Sequence, residues 1–289
     1  MASGRKPISE NNLTQWIAGQ AARGSGTRLL RGIGDDCAVF RAPGAKEDLL
    51  FTSDFLIEDI HFRRDTHPAD AVGHKALARG LSDIAAMGGG PRFCLLSLAL
   101  APWTDERWVK RFFSGFLKLA RRTATTLAGG DLAHTEKLTC DVMVCGAVPR
   151  GRALRRDGAR AKHTVYVSGR LGKPWQKHLR PEPRLDFGRQ LIGLASACID
   201  LSDGLSLDLA RLLKASDVAA VVDDVPIRSG STLEQALHGG EDYELLFTMP
   251  PGVKPPRGSI RIGEIAKGPA GAVEFQGRPL PALGYDHFR

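Results

Sequence analysis

The fold of this chain is limited most by an alternation of helix-like and strand-like apolar patterns along both halves of the sequence. Leu77, Leu81 and Ile84 recur at helical spacing and predict a helix over residues 68–88. A Gly-Gly-Gly-Pro run ends that helix, and a strand-like run follows over residues 93–100. Such interleaving excludes an all-β fold and a helical bundle, and it favours an α+β or α/β protein.

The same patterns predict the remaining elements. The predicted helices are 12–22, one that begins from an N-cap at Thr104, 185–197, 204–214 and 233–238. The predicted strands are one that starts at Asp48 and ends in Thr52-Ser53-Asp54, and the segments 125–128, 137–148, 164–168, 218–222 and 243–248. Within the 137–148 strand, alternate apolar residues share one face: Leu138, Cys140, Val142 and Val144.

Residues 149–162 differ in composition from both flanks, because five arginines interrupt the apolar pattern there. We therefore predict two domains, residues 1–150 and residues 151–289. Each is long enough to bury a core of its own.

The charge balance predicts an anionic partner. The 289-residue chain carries a formal net charge of +8, from 40 Lys and Arg against 32 Asp and Glu. Composition leaves open a nucleic acid, a membrane surface or a phosphorylated small molecule. A hydrophobic share of 43% excludes general disorder, and no apolar run approaches the roughly 20 residues of a membrane span. Five cysteines without metal-binding spacing predict buried thiols, and the absence of a signal-like N-terminus predicts a cytoplasmic location.

Acidic residues stand beside glycines or at the ends of strand-like runs in six places. These are Asp35-Asp36, Asp54, Asp83, Asp131, Asp200 with Asp203, and Glu241-Asp242. Carboxylates directed into one cleft repel one another unless a cation lies between them, and Mg²⁺ binds such oxygens together with substrate phosphates. The pattern predicts several Mg²⁺ ions and a polyphosphate ligand, although any one motif taken alone is more often just a turn. The P-loop, the kinase catalytic loop and a strand-linked GxGxxG are absent, so a nucleotide would bind by another route.

Nine strings, in order along nearly the whole chain, match one known family. They are GIGDDCAVF (32–40), TSDFLIEDIHF (52–62), GHKALARGLSDIAAMG (73–88), AGGD (128–131), VPRGRALRRDGAR (148–160), HLRPEPR (178–184), IDLSDGLSLDLA (199–210), GGEDYELLFT (239–248) and GYDHF (284–288). On these strings the sequence resembles the thiamine-monophosphate kinases, of the same superfamily as the aminoimidazole-ribonucleotide and selenophosphate synthetases. A series of motifs in family order is far more specific than any single motif.

The resemblance implies a fold and a reaction. It implies an α+β, two-domain synthetase-like fold, in which a small N-terminal sheet forms a barrel with its copy in a homodimer and a C-terminal α/β domain completes the cleft. ATP would donate its γ-phosphoryl group to thiamine monophosphate with the help of several Mg²⁺ ions. Direct in-line transfer of this kind relies on positioning and charge neutralisation, and no residue stands out as a general base.

The resemblance also implies roles for individual residues. The implied Mg²⁺ ligands are Asp36, Thr52, Ser53, Asp54, Asp83, Asp131, Asp200 and Asp203. The implied ATP contacts are Gly130, Asp131, Arg156 and Ser202. His61 and Glu241 correspond to contacts with thiamine phosphate, and Tyr285 is the candidate aromatic for the thiamine rings.

The chain departs from the family pattern in two places. Gly80 stands where relatives usually have asparagine, and the segment between Gly172 and His178 is shorter than the helical insert of relatives.

Three alternatives to a thiamine-phosphate kinase stay open at this stage. One is a sister ATP-dependent enzyme that acts on another small substrate, and a second is a non-catalytic relative that still binds nucleotide. A third is a nucleic-acid-binding module, disfavoured because no aromatic residues interleave with the arginines.

Overall fold

A computed structural model describes residues 10–21, 28–172, 178–285 and 287 of the chain. The helices are α1 (Glu10–Ala21), α2 (Ala69–Ala86), α3 (Glu106–Arg122), α4 (Leu185–Gln190), α5 (Leu205–Ser216) and α6 (Leu233–His238). The strands of the first sheet are β1 (Leu29–Arg31), β2 (Ala38–Phe40), β3 (Glu47–Ile57), β4 (Gly90–Leu100), β5 (Thr126–His134) and β6 (Thr139–Pro149). Those of the second are β7 (Thr164–Val167), β8 (Ala197–Asp200), β9 (Ala219–Val222), β10 (Leu245–Met249), β11 (Ile260–Ala266), β12 (Val273–Phe275) and β13 (Arg278–Pro279). Within these ranges no helix has the length and apolarity needed to cross a bilayer.

The first sheet has the strand order β1-β2-β3-β6-β4-β5, and all neighbours are antiparallel except β4 and β5. Its centre is the long β3–β6 pairing, which runs from Glu47 opposite Pro149 to Ile57 opposite Thr139. The predicted apolar face of β6 is confirmed, because Leu138, Cys140, Val142 and Val144 are all buried. Helix α2 covers this face, and its own buried side includes Leu77, Leu81 and Ile84 as predicted.

Helices α2 and α3 pack at backbone contact because each has a glycine at the crossing. A Cβ atom on Gly73 would lie 2.0 Å from the carbonyl oxygen of Phe112, and one on Gly115 would lie 1.8 Å from that of Asp70. Neither position has room for a methyl group. This close crossing holds α2, which carries several residues of the cleft described below, firmly against the sheet.

The second sheet has the strand order β13-β12-β9-β11-β7-β10-β8. Only the β9–β12 pair is parallel, so this half of the chain is also a mixed, mainly antiparallel α+β layer. Helices and strands alternate along this half of the chain, as expected for an α/β domain. The strands, however, are mainly antiparallel, whereas those of an α/β domain are mainly parallel. The five cysteines are free and buried, as predicted.

Two predicted strand ends are wrong because pairing with a neighbour extends the strand. Strand β3 does not end in Thr52-Ser53-Asp54 but continues to Ile57, since β6 pairs with it along its full length. Strand β5 continues past the expected end at residue 128, because β4 pairs with it as far as His134. Asp54 and Asp131 therefore project from within strands and not from turns.

Two predicted helix ends are also wrong. The helix expected over residues 185–197 ends at Gln190, and Gly193 beyond it adopts a left-handed φ of 78° that breaks helical geometry. The N-cap of α3 is Asp105, whose carboxylate accepts a backbone N–H from the first turn. The hydroxyl of Thr104 instead donates to a backbone carbonyl.

Candidate functional site

A cavity of about 300 Å³ lies where α2, β3, the end of β8 and the loop before β10 meet. Eight residues singled out from the sequence line it: Asp54, His61, Asp83, Asp200, Ser202, Asp203, Glu241 and Tyr285. A more open depression of about 430 Å³ beside Arg31 and Arg152 contains none of the predicted residues. The smaller cavity is therefore the candidate active site.

Three carboxylates converge at one end of the cavity. An oxygen atom from each of Asp36, Asp83 and Asp200 lies within 4.8 Å of the other two. They come from the bend before β2, from the last turn of α2 and from the last position of β8. Burial, together with the neighbouring carboxylates, raises the pKa values of Asp83 and Asp200 well above their usual range. Such a set of hard oxygen donors fits a divalent cation such as Mg²⁺.

Hydrogen bonds from neighbouring side chains hold this acidic cluster in place. The hydroxyl of Ser82 donates to Asp200 over 2.6 Å, and that of Thr52 donates to Asp83. Arg156 pairs with Asp36, at 2.5 Å between Nη2 and Oδ1. Thr52 and Arg156 thus contact the cluster from outside the cavity lining.

Asp203 extends the acidic end along the loop between β8 and α5. Its carboxylate pairs with Arg211, which also contacts Asp208 at 2.8 Å. Asp208 accepts backbone N–H groups from Asp203 and Gly204, and it therefore fixes the start of α5. Burial, followed by repulsion from Asp203, raises the pKa of Asp208 to about 7.

Glu241 lines the cavity from the loop before β10, where its own φ is 52° and its backbone N–H donates to the Ser202 carbonyl over 2.6 Å. Lys75, which is fully buried, approaches one carboxylate oxygen to 2.8 Å, and His178 Nδ1 approaches the other to 2.5 Å. The Lys75 ammonium also donates to the backbone carbonyl of His61. Glu241 is therefore held by positive and hydrogen-bonding groups from two separate parts of the chain.

His61 enters the cavity beside Tyr285. Its Nδ1 accepts the backbone N–H of Ile57 over 3.0 Å. Burial, and next the charge of Arg79, lowers the pKa of His61 to about 3, so the imidazole is neutral at neutral pH. The ring centroids of His61 and Tyr285 lie 6.5 Å apart, and Tyr285 is 42% exposed at the cavity rim. Tyr285 is thus placed for an aromatic contact, although stacking on thiamine stays a prediction.

The structure does not bring Ser53, Gly130 or Asp131 into the cavity. Side chains alternate along β3, so Ser53 faces away from Thr52 and Asp54, and its hydroxyl donates to Asp141 over 2.7 Å. Asp131 is exposed on the edge strand β5, where Gly130 lies so close to β4 that a Cβ atom would be 1.8 Å from the Leu96 carbonyl oxygen. These three residues lie on the outer face and edge of the first sheet.

Sequence analysis missed Arg79, Tyr243, Lys75 and His178 as cavity or supporting residues. One available signal was the spacing of Lys75, Arg79 and Asp83, which place three charges on one face of an otherwise apolar helix. Tyr243 offered no such signal, because only the left-handed loop before β10 turns it into the cavity.

The two departures from the family pattern have different outcomes. Gly80 lies where α2 touches β6, and a Cβ atom there would be 2.7 Å from the Val144 side chain. The crossing therefore leaves little room for the asparagine of relatives. The shortened segment between Gly172 and His178 falls at residues 173–177, outside the described residues.

Comparison with known proteins places this geometry in a family. Residues 34–148 match the model of the AIR synthase related protein, N-terminal domain. The chain is 40% identical to thiamine-monophosphate kinase of Salmonella typhimurium in an alignment of 251 residues, and the match covers 76% of each protein. It is 34% identical to that of Bacillus subtilis over 88% of this chain and 84% of the relative.

Solved structures agree with the sequence matches. A structure described as AaThiL complexed with AMPPCP and TMP is 30% identical, with a TM-score of 0.89 over 99% of this chain and all of that one. A thiamine-monophosphate kinase structure from Stenotrophomonas maltophilia is 33% identical, with a TM-score of 0.74 over 95% of this chain and 99% of that one. The fold and the acidic cleft define a protein related to AIR synthase. More specifically, the chain belongs to the thiamine-monophosphate kinase family.

Proposed function

We propose that this chain is an ATP-dependent thiamine-phosphate kinase, which transfers the γ-phosphoryl group of ATP to thiamine monophosphate and releases thiamine diphosphate and ADP. One observation carries the proposal most directly. The relative described with AMPPCP and TMP superposes over nearly the whole chain, and this chain has a cavity lined by several carboxylates.

The cavity chemistry is consistent with direct transfer between two phosphates. An oxygen of the acceptor phosphate attacks the γ-phosphorus, and the bond from that phosphorus to the leaving ADP oxygen breaks. The acceptor oxygen is already anionic, so no general base is needed. What the chain must supply is alignment of the two anions and neutralisation of their charge.

We propose that Mg²⁺ ions bind at the acidic end, held by Asp36, Asp83 and Asp200 with the help of Asp54 and Asp203. Bound there, the ions would neutralise charge on the transferred phosphoryl group. Thr52 remains a proposed ligand beside Asp83, to which its hydroxyl donates. Ser53 and Asp131 remain proposed ligands, from the outer face of the sheet.

For ATP we propose contacts from Ser202 and Arg156, with Gly130 and Asp131 at the sheet edge. Arg156 is paired with Asp36 in the structure, so it exchanges this carboxylate for a phosphate when ATP and metal arrive. His61, Glu241 and Tyr285, which also line the cavity, bind thiamine monophosphate.

We also propose a homodimer, formed by the outer face of the first sheet. Helices α2 and α3 cover the opposite face. The outer face carries Phe55, which is 59% exposed, and the half-buried Phe51 and Leu95. A second copy would cover this apolar surface and close the two sheets into a barrel. The division of the chain at residue 150 and the cytoplasmic location stay predictions.

The activity is tested by incubating the purified protein with ATP, Mg²⁺ and thiamine monophosphate and separating the products. Thiamine diphosphate should form in proportion to ADP. Failure to form it at any Mg²⁺ concentration would overturn the proposed function. Replacement of Asp131 by asparagine tests the outer-face ligand, because an unchanged rate would argue against its metal role.

A further inference from the structure

Arg79 lines the cavity, and its charge interacts with Asp54, Glu241 and Asp83. It lies on α2 one turn after Lys75 and one turn before Asp83. We propose that Arg79 binds the phosphate of the acceptor substrate and thereby selects phosphorylated thiamine over thiamine. This inference rests on the proposed kinase function, and it assigns a role to a residue outside the metal and nucleotide contacts.

The hydrogen bonds of Arg79 leave most of its donor capacity for a ligand. Its Nη2 reaches Asp54 at 3.3 Å and its Nη1 reaches the Tyr243 hydroxyl at 3.2 Å, both long for charged donors. Its Nε is buried and has no hydrogen-bond partner among the described residues. A guanidinium carries five N–H donors in a planar fork that matches the oxygens of a phosphate.

Electrostatics of the cavity favour the same role. Asp54, Asp83 and Glu241 surround the guanidinium, and a substrate phosphate that enters among them needs a cation to offset the repulsion. His61 is neutral because of its lowered pKa. Lys75 is engaged with Glu241 and with the His61 carbonyl behind the cavity wall. Among the described residues that line the cavity, Arg79 is the permanently charged cation.

Arg79 also lies apart from Arg156, which is an expected ATP contact. Arg156 pairs with Asp36 on the far side of the acidic cluster, whereas Arg79 pairs on the side of Asp54 and Tyr243. A phosphate bound to Arg79 would therefore lie near Asp54 and Asp83, which are proposed metal ligands, and near Glu241, which is proposed to bind thiamine monophosphate. This is the place of an acceptor phosphate in an in-line transfer.

The test compares Arg79→Met and Arg79→Lys with Arg64→Met, a control at an exposed arginine outside the cavity. Steady-state kinetics on the full chain would give KM for thiamine monophosphate and for ATP separately. We expect Arg79→Met to raise KM for thiamine monophosphate by about tenfold or more, since one charge-assisted contact is lost, and to change KM for ATP less than about twofold. Arg79→Lys should fall in between, because an ammonium keeps the charge but not the fork.

Competition by thiamine supplies the second readout. Thiamine lacks the phosphate, so its inhibition constant against thiamine monophosphate should be the same in the Arg79 variants and the wild type. Unchanged KM for thiamine monophosphate would overturn the inference, as would an equal rise of both KM values, since a residue that only supports the fold would affect both substrates. If Arg79→Met does not fold, as judged by thermal unfolding, the same criteria apply to Arg79→Lys. Absence of turnover in the wild type would instead overturn the proposed function.

Discussion

At the scale of single residues, two neighbouring imidazoles, His67 and His178, lie behind Glu241. Burial, and next the charge of Lys75, lowers the pKa of His67 to about 4, so this ring is neutral. Its Nδ1 accepts the backbone N–H of Arg63, which leaves the ring proton on Nε2. That proton points at His178 Nε2, 3.1 Å away, so Nε2 of His178 is the acceptor and its Nδ1 is the ring nitrogen beside Glu241.

These tautomers predict that asparagine and glutamine have opposite effects at His178 and at His67. An asparagine amide imitates Nδ1 of histidine and a glutamine amide imitates Nε2. His178→Asn should therefore retain a low KM for thiamine monophosphate, whereas His178→Gln should raise it about fivefold or more, through the loss of one hydrogen bond to a charged group. At His67 the order reverses, and glutamine should be the tolerated residue. NMR spectroscopy with ¹⁵N-labelled histidine checks the premise directly, and an Nε2–H tautomer of His178 would contradict it.

At the scale of elements, the packing of α2 on α3 depends on two glycines. Gly115→Ala would drive a methyl group into the Asp70 carbonyl and force the helices apart. We expect a loss of about 1–3 kcal/mol or more in the free energy of unfolding, measured by urea titration. Gly19→Ala in α1 is the matched control, because nothing lies within 4 Å of its Cβ position, and it should stay within about 1 kcal/mol of the wild type. Equal free energies of unfolding for the two variants would contradict the close backbone packing of α2 on α3.

The elements also show what the sequence could predict. Helix α2 and strand β6 have a continuous apolar period, and both were predicted within a few residues. The ends of β3 and β5 were not, because they are set by partner strands whose positions no local pattern encodes.

In the candidate site, too, residues within a local motif could be predicted, and residues that depend on a distant partner could not. Asp83 and Asp200 could be named from their motifs and the family resemblance, and they converge with Asp36 as expected. The buried Lys75 was missed, since charged residues on a helix are normally solvated and its partner Glu241 lies far along the chain. A residue whose role depends on a partner far along the chain is therefore difficult to predict from the sequence.

At the scale of the whole molecule, the uncovered face of the first sheet predicts self-association. Phe55→Lys places a charge at the centre of the proposed interface, where a desolvated lysine without a partner would be costly. Analytical ultracentrifugation should show the wild type as a dimer and the variant shifted toward monomer at equal concentration. Lys110→Ala on the exposed side of α3 is the control and should leave the mass unchanged. A wild type that is monomeric at all concentrations would contradict the proposed dimer.

The proposed metal site links the stability of the whole molecule to pH. Burial raises the pKa values of Asp83 and Asp200, and with the help of Asp36 it raises the pKa of Asp35 to about 6. A carboxyl whose pKa is higher in the folded than in the unfolded chain holds its proton more tightly when folded. The metal-free protein should therefore lose stability as the pH rises from about 4 through these folded pKa values.

Mg²⁺ requires the ionised carboxylates, so it should reverse this loss and compete with protons for the cluster. We expect the increase in Tm on addition of Mg²⁺ to be larger at about pH 8 than at about pH 6, measured by scanning calorimetry with and without the ion. In Asp83→Asn and Asp200→Asn the metal-free protein should be less sensitive to pH, because a neutral amide replaces a carboxyl, and the response to Mg²⁺ should be mostly lost. An equal Mg²⁺ response at both pH values, or a full response in these variants, would contradict a magnesium site built on Asp36, Asp83 and Asp200.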